Sequence, residues 1–372
     1  MKQVITWLMV SLVLALPALA DRTLDKPLRF VPSDSTVVWG EDRSDFRATA
    51  MTVIPHPESR EMIVGDMDAK TFKKMEKEWK KEIAPAFDIL GGQGTSPMTD
   101  DLLSLKRRLP EVARLFLQTG DAQYMNVIER MAFNRLMSLI QPGEGSFEKY
   151  QAARMLLDIS DMVYATDEEG IYVNLYINSS TRIKTGNQDC VIDQLTAMPH
   201  SSRVKLRVSG LRKGMQPIKL RLRMPDWVCA TPVPTSFSLT GTPRQLPVIY
   251  VNGREETYEV ENGYLVIDRR WNSGDEVFFD FPFHMQQLRP GQSDHVGGGA
   301  VALQCGPLVY GFGEDLEGWS LPENPEFQEM SVPNAYGHSR FEVTLSDPRG
   351  QKAVKVAEPV MDGIFYPWIG TK

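Results

Sequence analysis

Two kinds of side chain in this sequence could do chemistry: acids near the starts of helical segments, and three cysteines. Two carboxylates that face each other can act as general acid and general base. The acids on or beside the helical segments are Asp101, Glu111, Glu144, Glu148 and Asp158. Because the chain has 48 acidic residues, and helix surfaces carry acids routinely, spacing alone selects no pair.

The cysteines Cys190, Cys229 and Cys305 lie far apart, with no C-x-x-C pair and no histidine at ligand spacing. Zinc sites are usually recognised by closely spaced Cys and His ligands, so the sequence predicts no metal site on these thiols. An odd number of cysteines permits one disulfide at most. Buried free thiols are the favoured interpretation, and a disulfide stays open as the alternative.

Residues 1–20, MKQVITWLMVSLVLALPALA, combine an early lysine, a short apolar run and a small-x-small end. This pattern predicts a secretory signal peptide cleaved after Ala20, with an uncleaved membrane anchor as the alternative. No later apolar run is long enough to span a bilayer, so we expect a secreted or periplasmic protein without membrane attachment after cleavage. The net charge of −7 and pI near 5.4 argue against nucleic-acid binding.

Apolar residues recur at steps of three and four from Phe72 to Val163, which predicts several amphipathic helices. Pro85 should kink or end the first helix, and Pro110 should interrupt or restart the second. Gly-Asp turns at Gly65 and Gly120 suggest stacked helical hairpins, because glycine suits the end of one helix and aspartate caps the next. The alternative is two helices that happen to use the same kind of cap. The apolar positions, helix by helix, are Phe72, Met75, Trp79 and Ile83; Leu102, Leu105, Leu109, Val112, Leu115 and Phe116; Tyr124, Val127, Ile128, Met131 and Leu136; and Ala152, Met155, Leu156, Ile159, Met162 and Val163.

From Gly170 the pattern changes to short segments that alternate apolar and polar residues, separated by Asn-Gly, Ser-Gly and Pro. Such segments are typical of an antiparallel β-sandwich. The expected class is therefore a multidomain α+β chain. Its expected parts are a signal peptide (1–20), an N-terminal strand and linker segment (21–61), a helical domain (62–165) and a β-sandwich domain (166–372).

Several motifs resemble the beta-L-arabinofuranosidase family of glycoside hydrolases, family 127. In the strand region these are MVYATDEEGIYVNLYINSS, LRLRMPDWV, IYVNGR, GYLVIDRRWNSGDEVFFDFP and VALQCGPLVYG. In the helical region they are GDMDAKTFKKMEKEWKKEIAPAFDILGGQG and LFLQTGDAQYMNVIERMAFNRLM. The resemblance covers roughly residues 62–315, and it rests on the order of the motifs rather than on any one of them.

The resemblance implies an (α/α)6 toroid followed by a β-sandwich, and a retaining mechanism in which a zinc-bound cysteine thiolate attacks the anomeric carbon. In the family, a Glu-x-Cys on one helix and a Cys-Cys pair at the head of another hold the metal, and a glutamate is the general acid/base. Counting back from Gly120 places the first motif at Asp101 and Leu103. Counting back from Tyr164 places the second at Phe147 and Glu148.

Leucine and phenylalanine cannot bind zinc, so the nucleophile is lost at Leu103 and Phe147, and we expect neither zinc nor another cofactor. The helical region also falls short of a complete toroid, so only a remnant of helical hairpins is expected. The favoured interpretation is a secreted GH127-like protein that binds a carbohydrate or a protein in glycan utilisation. One alternative is an active arabinofuranosidase-like hydrolase using carboxylates such as Asp101 and Glu148, and the sequence leaves open whether the chain is an enzyme.

A second alternative is a non-catalytic product that acts only as a structural or interaction partner. Helices that lack most of their ring would expose apolar faces, which predicts self-association or a partner protein. For a glycan ligand, the candidate stacking residues are Trp227, Tyr264, Trp271 and Trp368. For each of them a buried structural role is the favoured interpretation, and sugar stacking is the alternative.

Overall fold

The computed structural model describes residues 24, 26–31, 37–39, 51–53, 67–90, 98–140, 147–185, 188–211, 217–228, 238–240, 246–290, 299–313, 316–329, 339–348, 350–358 and 367–371. The proposed signal peptide, Glu144, Cys229 and the Gly65 turn lie outside the described residues. Of the other cysteines, Cys190 and Cys305 are buried free thiols.

The described part of the helical region contains five α-helices. They are α1 (Ala69–Glu78), α2 (Met98–Thr119), α3 (Ala122–Arg130), α4 (Met137–Leu139) and α5 (Phe147–Ser160). A π-helical segment (Trp79–Ile83) and a 3-10 turn (Ala84–Ala86) follow α1, so the first helix ends at Pro85 as predicted. Another π-helical segment (Met131–Leu136) joins α3 to α4.

The prediction that Pro110 interrupts the second helix is wrong, because α2 is continuous through this residue. A proline removes one backbone hydrogen bond from a helix interior and strains the turn before it. Leu105, Leu109 and Val112 surround Pro110 in the sequence, and each is at most 2% exposed. Burial of this apolar stripe therefore holds the helix together across the proline.

The turn between α2 and α3 forms as its two residues predict. Gly120 has a φ of +64°, and its N–H donates to the carbonyl of Phe116 at 2.7 Å, which closes α2. Asp121 then accepts a hydrogen bond from the N–H of Gln123 at 2.9 Å, which caps α3. The cap of α1 is Asp68, which accepts from the N–H groups of Lys70 and Thr71. The repeat predicted this role for the aspartate of the Gly65 turn, two residues earlier, so that part of the prediction is wrong.

The strands that the structure describes are, in chain order, β1 Arg29–Val31, β2 Val37–Trp39, β3 Met51–Val53, β4 Tyr164–Thr166, β5 Gly170–Val173, β6 Ser179–Thr185, β7 Gln188–Thr196, β8 Arg203–Ser209, β9 Ile218–Arg223, β10 Ser238–Thr240, β11 Ile249–Val251, β12 Arg254–Glu256, β13 Glu259–Glu261, β14 Tyr264–Arg269, β15 Asp275–Asp280, β16 Met285–Arg289, β17 Ala300–Cys305, β18 Leu308–Tyr310, β19 Ser320–Leu321, β20 Phe327–Glu329, β21 Ser339–Asp347, β22 Gly350–Ala357 and β23 Trp368–Thr371.

These described strands form two six-stranded sheets, a nine-stranded sheet and a two-stranded one, all mainly antiparallel. The first sheet has the order β1-β4-β5-β9-β14-β13, and the second has the order β12-β11-β15-β8-β7-β6. The pairs β5–β9 and β19–β23 are parallel, whereas the sequence predicted an antiparallel sandwich.

The second sheet has one buried and one solvent-facing side, because burial alternates residue by residue along β6, β8 and β15. In the first sheet, all four residues of β5 are buried, as are most of β9 and β14. One continuous hydrophobic cluster contains residues of α1–α5 and of both six-stranded sheets. The helices and sheets are therefore built on a shared core.

Candidate functional site

Helix α3 and the π-helical segment that continues it carry a row of polar side chains into this core. Asn126, Glu129, Arg130 and Asn134 follow one another at steps of three, one and four, which places them on one side of the helix. Each is at most 5% exposed. Buried polar groups are costly unless they find partners, so their contacts decide what this row does.

Arg223, at the end of β9, is the centre of the first half of the row. Its guanidinium donates to Glu129, to the side chain of Asn126 and to the carbonyl of Asn174. Glu129 accepts a further hydrogen bond from Trp227 Nε1 at 3.2 Å. Arg223 and Glu129 are 0% and 2% exposed, so this is a fully buried ion pair between helix and sheet.

Two tyrosines from the strand region close this polar cluster. Tyr264 Oη donates to Asn174 Oδ1 at 2.8 Å, and Tyr176 Oη donates to the carbonyl of Arg223 at 2.5 Å. Burial raises the pKa of both phenols well above the usual value. They therefore remain hydrogen-bond donors at physiological pH.

Arg130 and Asn134 form the second half of the row. Arg130 donates to Asp226 Oδ2 and Gln304 Oε1, both at 3.1 Å, and to the carbonyl of Ile89 at 2.9 Å. Asn134 donates to the carbonyl of Pro307 at 2.9 Å and accepts from the N–H of Val309 at 2.8 Å. We call the two halves together the junction network. It joins α3 to β9, β17 and β18.

The electrostatics of the junction network indicate a structural role. Burial raises the pKa of Glu129, and the Arg223 guanidinium opposes that shift. For Arg223, burial alone would lower the pKa, and contact with Glu129 raises it. A raised carboxyl pKa in a cleft would mark a candidate acid/base. Glu129, by contrast, is enclosed by protein and bonded to two side chains of its own chain.

Three of the four candidate stacking residues belong to the core. Trp227, Tyr264 and Trp271 are 1%, 0% and 8% exposed. Their polar atoms bond inside the protein: Trp227 to Glu129, Tyr264 to Asn174, and Trp271 Nε1 to the carbonyl of Ile218 at 2.8 Å. These three side chains have the buried structural role that the sequence favoured, because they supply apolar volume and use their polar tips for internal hydrogen bonds. The fourth candidate, Trp368, is half-buried on β23.

The helices that carry the candidate site positions lie side by side and run in the same direction. Lys106 Nζ of α2 donates to Gln151 Oε1 of α5 at 3.3 Å. At the other end, Leu117 of α2 accepts a hydrogen bond from the N–H of Leu28, next to β1. The strand that follows α5, β4, pairs with the same β1. The starts of α2 and α5 therefore lie at one end of the helical region.

At that end the structure presents apolar side chains to solvent. Leu103 is 54% exposed, Phe147 58% and the neighbouring Tyr150 62%. We call these three residues the helix-end patch. Glu148 is half-buried in the first turn of α5, and Asp101 lies on α2 with its side chain outside the described ones.

The remaining acids do not form pairs within one helix. Asp101 and Glu111 on α2 are ten residues apart, as are Glu148 and Asp158 on α5. At a rise of about 1.5 Å per residue, each pair is separated by about 15 Å along its helix. Glycosidase carboxylates lie about 5–9.5 Å apart. Glu111 instead accepts a hydrogen bond from Arg108 at 2.8 Å.

Zinc does not fit the residues at this end, because Leu103 and Phe147 offer only hydrocarbon. In the described part of the chain, no three His, Cys, Asp or Glu side chains are grouped so that they could hold a metal. Within the same ranges, no helix is long and apolar enough to cross a bilayer.

A family model for the middle domain of GH127 beta-L-arabinofuranosidases matches residues 170–283. This chain resembles the GH127 enzymes. Curated protein sequences give no match.

Solved structures agree with the resemblance at the level of fold. A GH127 beta-arabinofuranosidase matches with a TM-score of 0.68 and 21% identity, over 82% of this chain and 57% of its own. A GH127 beta-L-arabinofuranosidase from Geobacillus stearothermophilus T6 gives 0.61 and 18%, with the same two coverages. A further glycoside hydrolase gives 0.58 and 17%, over 73% of this chain and 52% of its own. The chain thus spans little more than half the length of these relatives.

The segments that carry the GH127 resemblance also build the junction network, which the sequence analysis missed. GDAQYMNVIERMAFNRLM, LRLRMPDWV and VALQCGPLVYG together supply most of its members. One signal could have identified it: charged and amide residues at steps of three and four on a helix whose other positions are apolar. In order, the residues are Asn126, Glu129, Arg130, Asn134, Arg223, Asp226, Trp227 and Gln304.

Proposed function

We propose that this chain is a secreted GH127-like protein that lacks the zinc-thiolate centre and has a binding role, for a carbohydrate or a protein, in glycan utilisation. Its helices would be a remnant of an (α/α)6 toroid (62–165), followed by a β-sandwich (166–372). One observation carries the proposal. The two helices to which the resemblance assigns the metal ligands lie side by side in the same direction, and they present Leu103 and Phe147 there.

This observation separates the position of the site from its chemistry. Zinc stabilises a thiolate and so makes it a nucleophile at neutral pH. The side chains of Leu103 and Phe147 have no lone pair to give a metal, and Asp101 is shorter than the glutamate that the resemblance expects. The helix arrangement can remain while the reaction it positioned is lost.

The test combines metal analysis with a gain-of-binding variant. The purified chain should contain substoichiometric zinc and release no sugar from arabinofuranosides, galactosides or plant-polysaccharide oligomers. The variant Asp101→Glu/Leu103→Cys/Phe147→Cys/Glu148→Cys should bind about one zinc per chain, because it restores the ligand set. Stoichiometric zinc and sugar release from the unmodified chain would overturn the proposal, and a zinc-free variant would show that the positions are assigned wrongly.

A carboxylate-based hydrolase is a second candidate, favoured by the same helix arrangement. Asp101 and Glu148 lie near the starts of neighbouring helices that run in one direction, so the two acids could act across the gap between them. This candidate requires measurable glycoside hydrolysis, and Asp101→Asn and Glu148→Gln should each abolish it. The conservative change Asp158→Asn, at the far end of α5, should leave the rate unchanged.

The helix-end patch supports a role for the chain as an interaction partner, with a second copy of the chain as the proposed occupant. Exposed Leu103, Phe147 and Tyr150 on adjoining helices resemble the apolar centre of an interface. Sedimentation should then show concentration-dependent dimers that Phe147→Ser/Tyr150→Ser converts to monomers. A monomer at all concentrations would exclude self-association through this patch.

Secretion is a further part of the proposal and rests on the sequence of residues 1–20. When the full chain is expressed in a bacterium with a periplasm, N-terminal sequencing of the exported protein should begin at Asp21. Retention of Met1 in a membrane fraction would favour the membrane anchor instead.

A further inference from the structure

The second sheet exposes one entire face, and the strand registers define which residues share it. On β8, Arg203, Lys205 and Arg207 alternate with fully buried residues, and on β15 Phe278 and Asp280 do the same. Neighbouring strands pair without a register shift from β11 through β15, β8 and β7. The outward side chains therefore form straight rows across the sheet.

The central row contains two adjacent aromatic rings. Tyr250 of β11 lies directly opposite Phe278 of β15, Phe278 lies opposite Lys205, and Lys205 lies opposite Leu195 of β7. Tyr250 and Phe278 are 37% and 42% exposed. Directly opposed residues have Cβ atoms about 5 Å apart, so the two aromatic side chains are neighbours on this face. We call them the Tyr250–Phe278 platform.

Charged rows flank this platform on both sides. On one side Arg207 lies between Asp193 and Glu276, and on the other Arg203 lies opposite Asp280. Lys205 Nζ also lies 2.9 Å from Glu276 Oε1, which links the central row to its neighbour. Hydrogen-bond donors and acceptors therefore alternate around the two rings.

The described outward face carries as many acids as bases. Its bases are Arg182, Lys184, Arg203, Lys205 and Arg207, and its acids are Asp189, Asp193, Glu255, Glu276 and Asp280. Five charges of each sign give this face no net charge. A polyanion such as a nucleic acid needs a net positive surface, so it has no electrostatic reason to bind here.

We propose that the Tyr250–Phe278 platform binds a neutral oligosaccharide, whose sugar rings stack on the two aromatic side chains while the flanking charged groups bond its hydroxyls. This inference rests on the binding role proposed above and names its site and ligand class. A sugar ring has an apolar C–H face and a rim of hydroxyls that both donate and accept. The platform offers the matching surfaces: aromatic rings in the middle, and paired donors and acceptors around them.

A protein partner fits this face less well. A stable protein interface buries about 800 Å² on each partner around an apolar centre from which charged residues are depleted. Here the apolar area is narrow and interrupted. Lys205 separates Phe278 from Leu195, and charged side chains lie immediately beside Tyr250, Phe278 and Val248. This narrow area suits a ligand about as wide as one sugar chain.

Binding to the whole chain tests the proposal, with cellohexaose, xylohexaose and arabinohexaose as probes in isothermal titration calorimetry. At least one probe should bind, and Tyr250→Ala/Phe278→Ala should weaken its Kd about tenfold or more. Tyr250→Phe keeps the ring and should bind like the unmodified chain. Val260→Ala, an equally exposed apolar residue on β13, is the matched control and should have no effect.

The outcomes separate this platform from the broader proposal. If the variant Tyr250→Ala/Phe278→Ala binds the probe as tightly as the unmodified chain, the platform proposal fails. The chain would then bind glycans at another site. If the chain is zinc-free and inactive and binds none of the probes, the platform proposal fails. The proposed loss of the metal centre is unaffected by that result. If the double variant instead abolishes self-association in sedimentation, the face is a protein interface and the proposal fails. Thermal unfolding of each variant is the folding control, and it should show that both rings are dispensable for folding.

Discussion

The junction network and the helix-end patch are two regions of the same helices with opposite properties. The network is fully buried, charged and hydrogen-bonded across the helix–sheet boundary. The patch is exposed and apolar where the resemblance expects metal ligands. The segments that resemble GH127 supply most of the network, whereas Leu103, Phe147 and Tyr150 lie between such segments. Only the network consists of polar side chains that bond one another.

Under the proposed function, these helices would keep their packing role without the chemistry of the family. Removing one partner of a buried ion pair leaves a charge without water or protein contacts, which destabilises the whole fold. Replacing a solvent-exposed ligand at a helix end changes little in the folded chain. A chain can therefore lose its metal ligands and still fold, whereas it cannot easily lose Arg223 or Glu129.

The largest effect is expected from breaking the central ion pair. Arg223→Met should lower the free energy of unfolding by about 3–5 kcal/mol, or prevent folding, because Glu129 would stay buried without its partner. The double variant Glu129→Gln/Arg223→Met should recover part of the loss. Denaturant unfolding measures both. As a matched control, Arg207→Met on the exposed face should change stability by at most about 0.5 kcal/mol.

A smaller loss is expected at the other half of the network. Asn134→Ala would leave the N–H of Val309 and the carbonyl of Pro307 without their observed partner, which should cost about 1–3 kcal/mol. Ser138→Ala provides the comparison, since this hydroxyl donates to Arg135 within its own helical region. Equal losses in the two variants would mean that the bonds of Asn134 across the junction are not the stabilising ones.

The helix-end patch should tolerate polar substitutions. Leu103→Asn and Phe147→Asn should each change the free energy of unfolding by at most about 0.5 kcal/mol, because these side chains are more than half exposed. Leu105→Asn, two residues further along α2 and fully buried, should lose at least about 2 kcal/mol. A large loss at Leu103 or Phe147 would contradict the contrast between the two regions.

The smallest effect concerns chemical reactivity and leaves the fold unchanged. Burial raises the pKa of the Cys190 thiol to about 12, so little thiolate exists at pH 8. In a Cys229→Ser background, Cys190 and Cys305 should react with a disulfide reagent only after denaturation. Rapid labelling of the native protein would show that the strands around these thiols open readily.

Local features of the chain could be predicted from the sequence because they depend on neighbouring residues. Gly120 and Asp121 end one helix and cap the next through atoms within a few positions of them. Alternation along β8 and β15 identifies one buried and one exposed side of the sheet. The sequence also predicts that Leu103 and Phe147 do not bind a metal, because side chains of these types cannot do so wherever they lie.

Only the tertiary structure decided what distant residues do together. Pro110 remains within a helix because the core on both sides of it is buried, and Trp227, Tyr264 and Trp271 are core residues rather than binding ones. The pairing of Glu129 with Arg223, and of Tyr250 with Phe278, depends on strand order and helix docking. Residue types and periodicity determine local structure and exclude some chemistry, while burial and partners arise from contacts between segments far apart in the sequence.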